Sequence, residues 1–174
     1  MPKIVFNGTA YRLDGDLPAI GSKAPDVSLV NVDLQDVSLA NFHGKRKIIN
    51  TTPSIDLCDC EKSVMEFDRL AAVHSDIAML VVSYDLPFAH ARFNAEHSLN
   101  AVTSLSAIRH AGFGNNYGVL IVEGPLAGMF APAVIVLDEN NTVVYREQIE
   151  DVCSEPHYAD ACRALGVSAG WIHE

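Results

Sequence analysis

Residues 47–83 carry the sequence feature that most constrains the fold of this chain. The run KIINT, at residues 47–51, is largely apolar and of strand length, and Pro53 ends it. In the segment that follows, apolar residues recur at helical spacing, namely Val64, Phe67, Leu70 and Ala71. The next apolar run, at residues 78–83, is continuous, which is typical of a strand buried on both faces of a sheet. Together these segments predict a β-α-β unit with parallel strands.

Two cysteines lie where the predicted helix begins. Cys60 is expected in the first turn, and Cys58 precedes it by two positions. The unpaired N–H groups and the helix dipole favour an anion at that end, and the thiolate is the nucleophilic form of cysteine. Asp56, Asp59 and Glu61 act in the opposite direction, because their charges disfavour a second anion nearby. Cys60 is therefore a candidate redox residue, provided that its thiol is ionised and reachable.

Further strand and helix patterns surround this unit. Asn7-Gly8, between two short apolar runs, predicts the tight turn of an N-terminal β-hairpin. Strand patterns occupy residues 27–30, 37–39, 133–137 and 142–147, helical patterns occupy residues 87–96 and about 155–165, and a loop-rich stretch spans residues 98–128. Parallel strands followed by an antiparallel hairpin are typical of an α/β fold with a central mixed sheet and helices on both faces. We expect one domain over residues 1–174, with residues 1–20 as the hairpin extension, and the thioredoxin-like fold has this order of elements.

Charge and composition exclude several kinds of partner. The net charge of −10 and the isoelectric point near 5.0 disfavour nucleic acid and anionic membranes, since both bind basic surfaces. The N-terminus lacks the pattern of a secretion signal, and nowhere do about 18 consecutive apolar residues occur. These features predict a cytoplasmic protein. In such a chain, four cysteines favour free, catalytic or metal-binding thiols over a structural disulfide framework.

Several short motifs resemble, in their order, those of thiol peroxidases, the atypical two-cysteine branch of the peroxiredoxins. The resemblance extends from residue 21 to residue 158. Its most specific motifs are GSKA at 21–24, GKRK at 44–47, PSID at 53–56, S-x-DLPFA at 83–89, YGV at 117–119, EGPL at 123–126, DEN at 138–140 and EP at 155–156. It implies a thioredoxin-like (peroxiredoxin) fold for the whole domain.

The resemblance also implies an activity. In this family a peroxidatic thiolate attacks a hydroperoxide, becomes a sulfenic acid, condenses with a resolving cysteine and is regenerated by thioredoxin. Pro53 and Cys60 fall on the proline and the peroxidatic cysteine of the family's active-site motif. Family members pair through their active-site face, which implies a homodimer. We expect a peroxidase without a cofactor, in which Cys58 or an external reductant, thioredoxin or a small thiol, resolves oxidised Cys60.

Three positions depart from the family's active site. Leu57 replaces its threonine, Pro132 replaces its arginine, and Asn94 replaces its resolving cysteine. Loss of one donor to developing negative charge costs about 10²–10³ in rate. The residues that could substitute as donors are His90, Arg92 and Arg109. Of these, Arg92 would ordinarily form a surface ion pair.

Two other functions are consistent with the same residues. Pro132 stands just before a buried strand, where thioredoxin-like oxidoreductases carry a cis-proline opposite their active cysteine. Together with Cys58-Asp59-Cys60 it resembles a thiol–disulfide exchange site, in which the second thiol releases the mixed disulfide. A cis Ala131–Pro132 bond close to Cys60 would favour that function. The non-enzymatic alternative is a degenerate peroxiredoxin that acts as a redox sensor or a binding module.

The remaining cysteines and the histidines are expected to have ordinary structural roles. Cys153 and Cys162 lie where the family carries no catalytic residue, so we expect both to pack in the core. The histidines show no metal-binding spacing, and each is expected at the surface or in a loop. Thiolates bind zinc well, but no second ligand pair accompanies Cys58 and Cys60, so no metal site is predicted.

Overall fold

The structure, a computed structural model, describes residues 2–168, except for the side chains of residues 58 and 59. Its strands are β1 (Lys3–Phe6), β2 (Thr9–Arg12), β3 (Ser28–Asn31), β4 (Asp36–Ser38), β5 (Arg46–Thr51), β6 (Ile77–Ser83), β7 (Thr103–Ser106), β8 (Ala133–Leu137) and β9 (Val143–Gln148). Its α-helices are α1 (Cys58–Val73), α2 (Pro87–Glu96), α3 (Gly112–Asn116) and α4 (Tyr158–Leu165), and a 3-10 helix (Leu39–Phe42) follows β4.

Within residues 2–168, seven strands form one mixed sheet in the order β4-β3-β7-β6-β5-β8-β9. The neighbours β5, β6 and β7 run parallel, as the β-α-β pattern predicted, and the remaining pairs are antiparallel. β5 is an interior strand next to the central β6, and its last residue, Thr51, pairs with Val82 of β6 and Ala133 of β8. The chain that leaves β5 therefore enters α1 from the interior of the sheet.

Apolar side chains cover both faces of the sheet. Alternation along β5 sends Ile48 into a cluster with α1 and α4, whereas Ile49 joins a cluster on the opposite face with α3 and the 3-10 helix. α2 lies on the same side as α1, because Val64 of α1 and Phe93 of α2 pack in one cluster with Val81 of β6. The predicted sheet with flanking helices is confirmed, with the three longer helices together on one face.

β1 and β2 form a separate two-stranded hairpin, as the Asn7-Gly8 pair predicted. Both turn residues have positive φ, 51° and 75°, which a type I′ turn requires. The hairpin packs onto the body of the protein through Ile4, in a cluster that also contains Ile121 and, at its margin, Leu57. The N-terminal extension therefore contacts the residue that directly precedes α1.

The stretch 98–128 was expected to be loop-rich, but it contains β7 and α3. The sequence of β7, TSLS, lacks apolar alternation, and its serines are buried with polar partners, since Ser104 Oγ donates to Asn94 Oδ1 at 3.0 Å. α3 has five residues, two of them glycine, and such a sequence has little intrinsic helix propensity. Tertiary packing compensates, because Phe113 stacks on Tyr117 with ring centroids 4.5 Å apart.

The last helix starts later than predicted. α4 begins at Tyr158 instead of about residue 155, and the N–H of His157 just before it donates to the Glu147 carboxylate. Among the helices of residues 2–168, none is both long and apolar enough to cross a lipid bilayer.

Candidate active site

A tight turn at residues 53–57 connects β5 to α1. Pro53 at its start is buried. The N–H of Leu57 donates to Ser54 O at 3.3 Å, and the N–H of Cys60 donates to Leu57 O at 2.9 Å. Cys60 is the third residue of α1, so the prediction that it lies in the first turn of a helix is confirmed.

Cys60 is buried, with 4% of its surface exposed. It precedes Val64 and Phe67 by four and seven residues, and both are 1% exposed. Residues at this spacing share one face of a helix, so Cys60 continues the apolar stripe that α1 packs against the sheet. The expectation of a readily reachable thiol is therefore wrong for this conformation.

Cys58 and Asp59 are the first two residues of α1, but their side chains lie outside the described part of the structure. The backbone alone still constrains a bond between positions 58 and 60. Positions two apart on a helix do not face each other, whereas a disulfide brings its β-carbons to about 3.5–4.5 Å. A disulfide between these cysteines requires the first turn of α1 to unwind.

Leu57 is the N-cap residue of α1. Its backbone is extended, with φ −86° and ψ 123°, and its side chain makes no capping hydrogen bond. The half-buried side chain instead packs against the apolar cluster that contains Ile4 and Leu13. The position at which the family motif has a hydroxyl is therefore apolar and serves to hold the hairpin.

Pro132 is buried immediately before β8, and every peptide bond described in residues 2–168 is trans. The cis bond at Ala131–Pro132 that would favour thiol–disulfide exchange is therefore not found. The trans form of a prolyl bond is favoured by only about 0.5–1 kcal/mol, so the surroundings decide the isomer. Here Thr51 Oγ1 donates to Ala131 O at 2.7 Å, and Ile149 N–H donates to Pro132 O at 3.1 Å.

Arg92 forms a surface ion pair, as predicted. Its Nη2 donates to both carboxylate oxygens of Asp56, at 2.7 and 2.9 Å, and its Nη1 donates to Glu96 at 2.7 Å. The hydrogen bonds to Asp56 raise the pKa of Arg92, whose side chain is 47% exposed. The pair also offsets the charge of Asp56, one of the carboxylates that oppose a thiolate at Cys60.

Other candidate residues serve the scaffold. Arg109 lies 3.5 Å from Asp36 of β4, the edge strand of the sheet, and is not brought to the start of α1. Asn94, at the position of the family's resolving cysteine, accepts the Ser104 hydrogen bond that attaches α2 to β7. Arg109 therefore does not take the place of the family's arginine at the start of α1, and Asn94 has a structural hydrogen bond where the family has its resolving thiol.

Asp85 is a site residue that the sequence analysis did not single out. Its Oδ1 accepts a hydrogen bond from Ser54 Oγ at 2.9 Å, and its Oδ2 accepts the N–H of Ile55 at 2.8 Å and Ser83 Oγ at 2.7 Å. Two of these donors belong to the turn before α1. The signal was present in the S-x-DLPFA motif at residues 83–89, which contains both Ser83 and Asp85.

His90 is fully buried, which corrects the expectation that each histidine lies at the surface or in a loop. Its Nε2 lies 3.0 Å from Ser83 Oγ, whose own proton is donated to Asp85. Nε2 must therefore carry the proton, and the buried Nδ1 has no hydrogen-bond partner. Burial lowers the pKa of His90 to about 4, although the charges of Asp85 and Asp56 act to raise it. The ring is neutral at pH 7.

The two C-terminal cysteines differ in their surroundings. Cys162, on the buried face of α4, packs in the core as predicted, and burial raises the pKa of its thiol. Cys153 is exposed, so the prediction that it packs in the core is wrong, because it lies in the turn between β9 and α4. In residues 2–168, no three histidine, cysteine, aspartate or glutamate side chains are grouped to hold a metal ion.

The buried His90 predicts a loss of stability in acid. Its pKa is about 4 in the folded chain and about 6.5 when unfolded, so the unfolded chain takes up the proton first as the pH falls. The contribution of neutral His90 to the free energy of unfolding is complete above pH 6.5 and is lost as the pH falls toward 4. Between pH 7 and pH 5 the loss is about 2 kcal/mol. His90→Gln keeps an amide donor near Nε2 but does not titrate. Urea unfolding at both pH values should show a loss smaller by that amount in the variant, and equal losses would contradict the assignment.

Comparison with known proteins identifies the family of this chain. The sequence pattern of the redoxin family matches residues 19–161. The chain is 41% identical over 166 residues to the thiol peroxidases of Mycobacterium bovis and Mycobacterium tuberculosis, covering 95% of this chain and 99% of theirs.

Solved structures agree with this result. A peroxiredoxin-like protein from Aquifex aeolicus is 30% identical, with a TM-score of 0.88 over 95% of this chain and 97% of that one. A thiol peroxidase from Chromobacterium violaceum is also 30% identical, with a TM-score of 0.87 over 94% of both chains. The chain therefore belongs to the redoxin family, in its thiol peroxidase branch.

Proposed function

We propose that this chain reduces hydroperoxides through Cys60. Its membership in the thiol peroxidase family supports a thiol-dependent peroxidase function. The observation that carries the assignment to Cys60 is its place in the first turn of the sixteen-residue α1, which follows Pro53 and the turn that leaves β5. Unpaired N–H groups and the helix dipole at such a start favour a thiolate.

The reaction follows from the chemistry of that thiolate. Its sulfur attacks one oxygen of the hydroperoxide, so that an S–O bond forms while the O–O bond breaks. The departing oxygen takes a proton and leaves as water or an alcohol, and Cys60 becomes a sulfenic acid. A second thiolate then attacks the sulfur, water leaves, and the resulting disulfide is reduced by an external dithiol. Thioredoxin-type reductants, which the family implies, supply these electrons.

The site has fewer donors than the family motif provides. Leu57 supplies no hydroxyl, Pro132 supplies no guanidinium, and Arg92 is engaged with two carboxylates. Backbone N–H groups at the start of α1 remain as donors. We therefore propose a peroxidase that is slower than a site with the threonine and the arginine, since each such donor is worth about 10²–10³ in rate.

We further propose that the first turn of α1 opens during the cycle. Because Cys60 is 4% exposed, attack on a peroxide needs a small movement of this turn. A bond from Cys60 to Cys58 needs a larger one, because positions two apart on a helix do not face each other. Cys58 resolves the sulfenic acid if the turn unwinds fully, and a small external thiol resolves it otherwise.

A homodimer and a cytoplasmic location complete the proposal. Leu86 and Phe88, at the start of α2, are 50% and 67% exposed. They lie beside Asp85, on the side of the turn before α1, so a second copy could cover them at the active-site face. A reducing compartment suits an enzyme that depends on reduced thiols. The exchange function is not favoured, because the Ala131–Pro132 bond is trans and the relatives are peroxidases by name.

Peroxide consumption tests the role of Cys60. We expect the reduced protein to react with hydrogen peroxide faster than free cysteine at the same pH, because the helix start stabilises its thiolate. Cys60→Ser should lose this reaction, whereas Cys153→Ser, which removes an exposed thiol, should retain it. Stopped-flow measurement of peroxide loss gives each rate. A wild-type rate no faster than free cysteine, or an undiminished rate in Cys60→Ser, would overturn the proposal.

Restoring a hydroxyl at position 57 should accelerate the reaction. Leu57→Thr adds a donor beside the developing charge, and Leu57→Val has the same shape without the hydroxyl. We expect the threonine variant to react with hydrogen peroxide at least about 10-fold faster than the valine variant. Thr is also a better N-cap, so its unfolding free energy should exceed that of the valine variant by about 1 kcal/mol. Equal peroxide rates in the two variants would show that the missing hydroxyl does not limit this site.

A further inference from the structure

We propose that Asp85 is the positioning residue of the peroxidase site, since its carboxylate fixes the turn from which α1 starts. The inference rests on the proposed function of Cys60. Asp85 follows β6, whereas the turn it holds follows β5, so the hydrogen bonds join the ends of two neighbouring parallel strands. Nothing in the reaction requires Asp85 to touch the substrate.

The carboxylate holds the turn by two different groups. Ser54 Oγ donates to Oδ1 at 2.9 Å, and the backbone N–H of Ile55 donates to Oδ2 at 2.8 Å. Ser54 Oγ in turn accepts the N–H of Asp56 at 3.2 Å. These hydrogen bonds fix the side chain of Ser54 and the N–H groups of Ile55 and Asp56 relative to the end of β6, shortly before Cys60 in the chain. Hydrogen bonds to a charged acceptor are about twice as strong as those between neutral groups.

A buried pair behind Asp85 holds the carboxylate itself. Ser83 Oγ donates to Oδ2 at 2.7 Å and accepts the backbone N–H of Asp85 at 3.0 Å. His90 Nε2 lies 3.0 Å from Ser83 Oγ, and the side chains of Ser83 and His90 are both 0% exposed. Because a carboxylate only accepts hydrogen bonds, Ser83 must donate to Asp85, and His90 Nε2 must then donate to Ser83 Oγ. The hydrogen bonds from Ser54, Ile55 and Ser83 together restrain the orientation of the carboxylate and of the turn.

The turn matters more here than it would in a site with the family's full set of donors. The N–H groups at the start of α1 remain to stabilise the negative charge that develops on the sulfur and on the departing oxygen. Their positions depend on where the helix begins, and a displacement of about 1 Å at a reacting centre can cost 10²-fold in rate. The hydrogen bonds of Asp85 set that starting point.

Asp85→Asn tests this role, with Asp68→Asn as the matched control. Asp68 is also half-buried and also accepts two backbone N–H groups, from Ala101 at 2.8 Å and Val102 at 3.0 Å. Two rates are measured for Cys60, with hydrogen peroxide and with iodoacetamide, and tandem mass spectrometry locates the modification. Alkylation needs an exposed thiolate but has no departing oxygen to stabilise. We expect the ratio of peroxide rate to alkylation rate to fall at least about 10-fold in Asp85→Asn and to be unchanged in Asp68→Asn.

Ser54 provides a graded second test. Ser54→Ala removes one of the two bonds between the turn and the carboxylate, so the ratio should fall less than in Asp85→Asn. Ser54→Thr keeps the hydroxyl and should restore the ratio. An unchanged ratio in Asp85→Asn, or an equal fall in Asp68→Asn, would overturn the positioning role.

Hydrogen exchange separates this inference from the proposed function. If wild-type Cys60 reacts with peroxide no faster than free cysteine, the proposed function fails, and the positioning role is judged by amide exchange over residues 54–61. Faster exchange there in Asp85→Asn than in Asp68→Asn would support the role. Equal exchange in the two variants would overturn it.

Discussion

The packing of α1 against the sheet is the constraint on which the rest of this site depends. α1 begins a few residues after β5, an interior strand of the sheet, and its apolar stripe starts at Cys60. The same stripe continues through Val64 and Phe67, which anchor the helix. The thiol is thus placed at the electropositive end of a well-packed helix and is also covered by that packing. The helix packing that places the thiol of Cys60 where a thiolate is favoured therefore also keeps peroxide away from it.

The surroundings of α1 reflect this conflict. Arg92 offsets Asp56 from outside the turn, while Asp85 and its buried neighbours hold the turn from inside. Leu57 ties the helix start to the N-terminal hairpin through apolar contacts instead of capping it. Helix starts without a side-chain cap are weaker by about 1 kcal/mol. The turn before α1 is therefore held by hydrogen bonds to Asp85, whereas the first helical turn of α1 has no side-chain cap. This combination suits a first helical turn that opens while the residues before it stay in place.

Much of the fold followed from local patterns. The apolar run of β5, the continuous apolar run of β6 and the Asn7-Gly8 turn each predict one kind of element, and these elements were found where expected. β7 and α3 escaped prediction because their stability comes from distant partners, such as Asn94 for Ser104. The burial of Cys60 was within reach of the sequence, since it stands four residues before Val64 in the same stripe. The contacts of Asp85 were not, because Ser54 and Ile55 belong to a distant segment that only the pairing of β5 with β6 brings close to it.

The central claim is that the first turn of α1 opens locally to expose Cys60 while the rest of the domain stays folded. Native-state thiol labelling in increasing urea tests it, with the buried Cys162 as the internal reference. The account predicts that Cys60 is labelled with an opening free energy well below that of global unfolding and nearly independent of urea, whereas Cys162 is labelled only through global unfolding. Identical opening free energies and urea dependence for the two cysteines would contradict it.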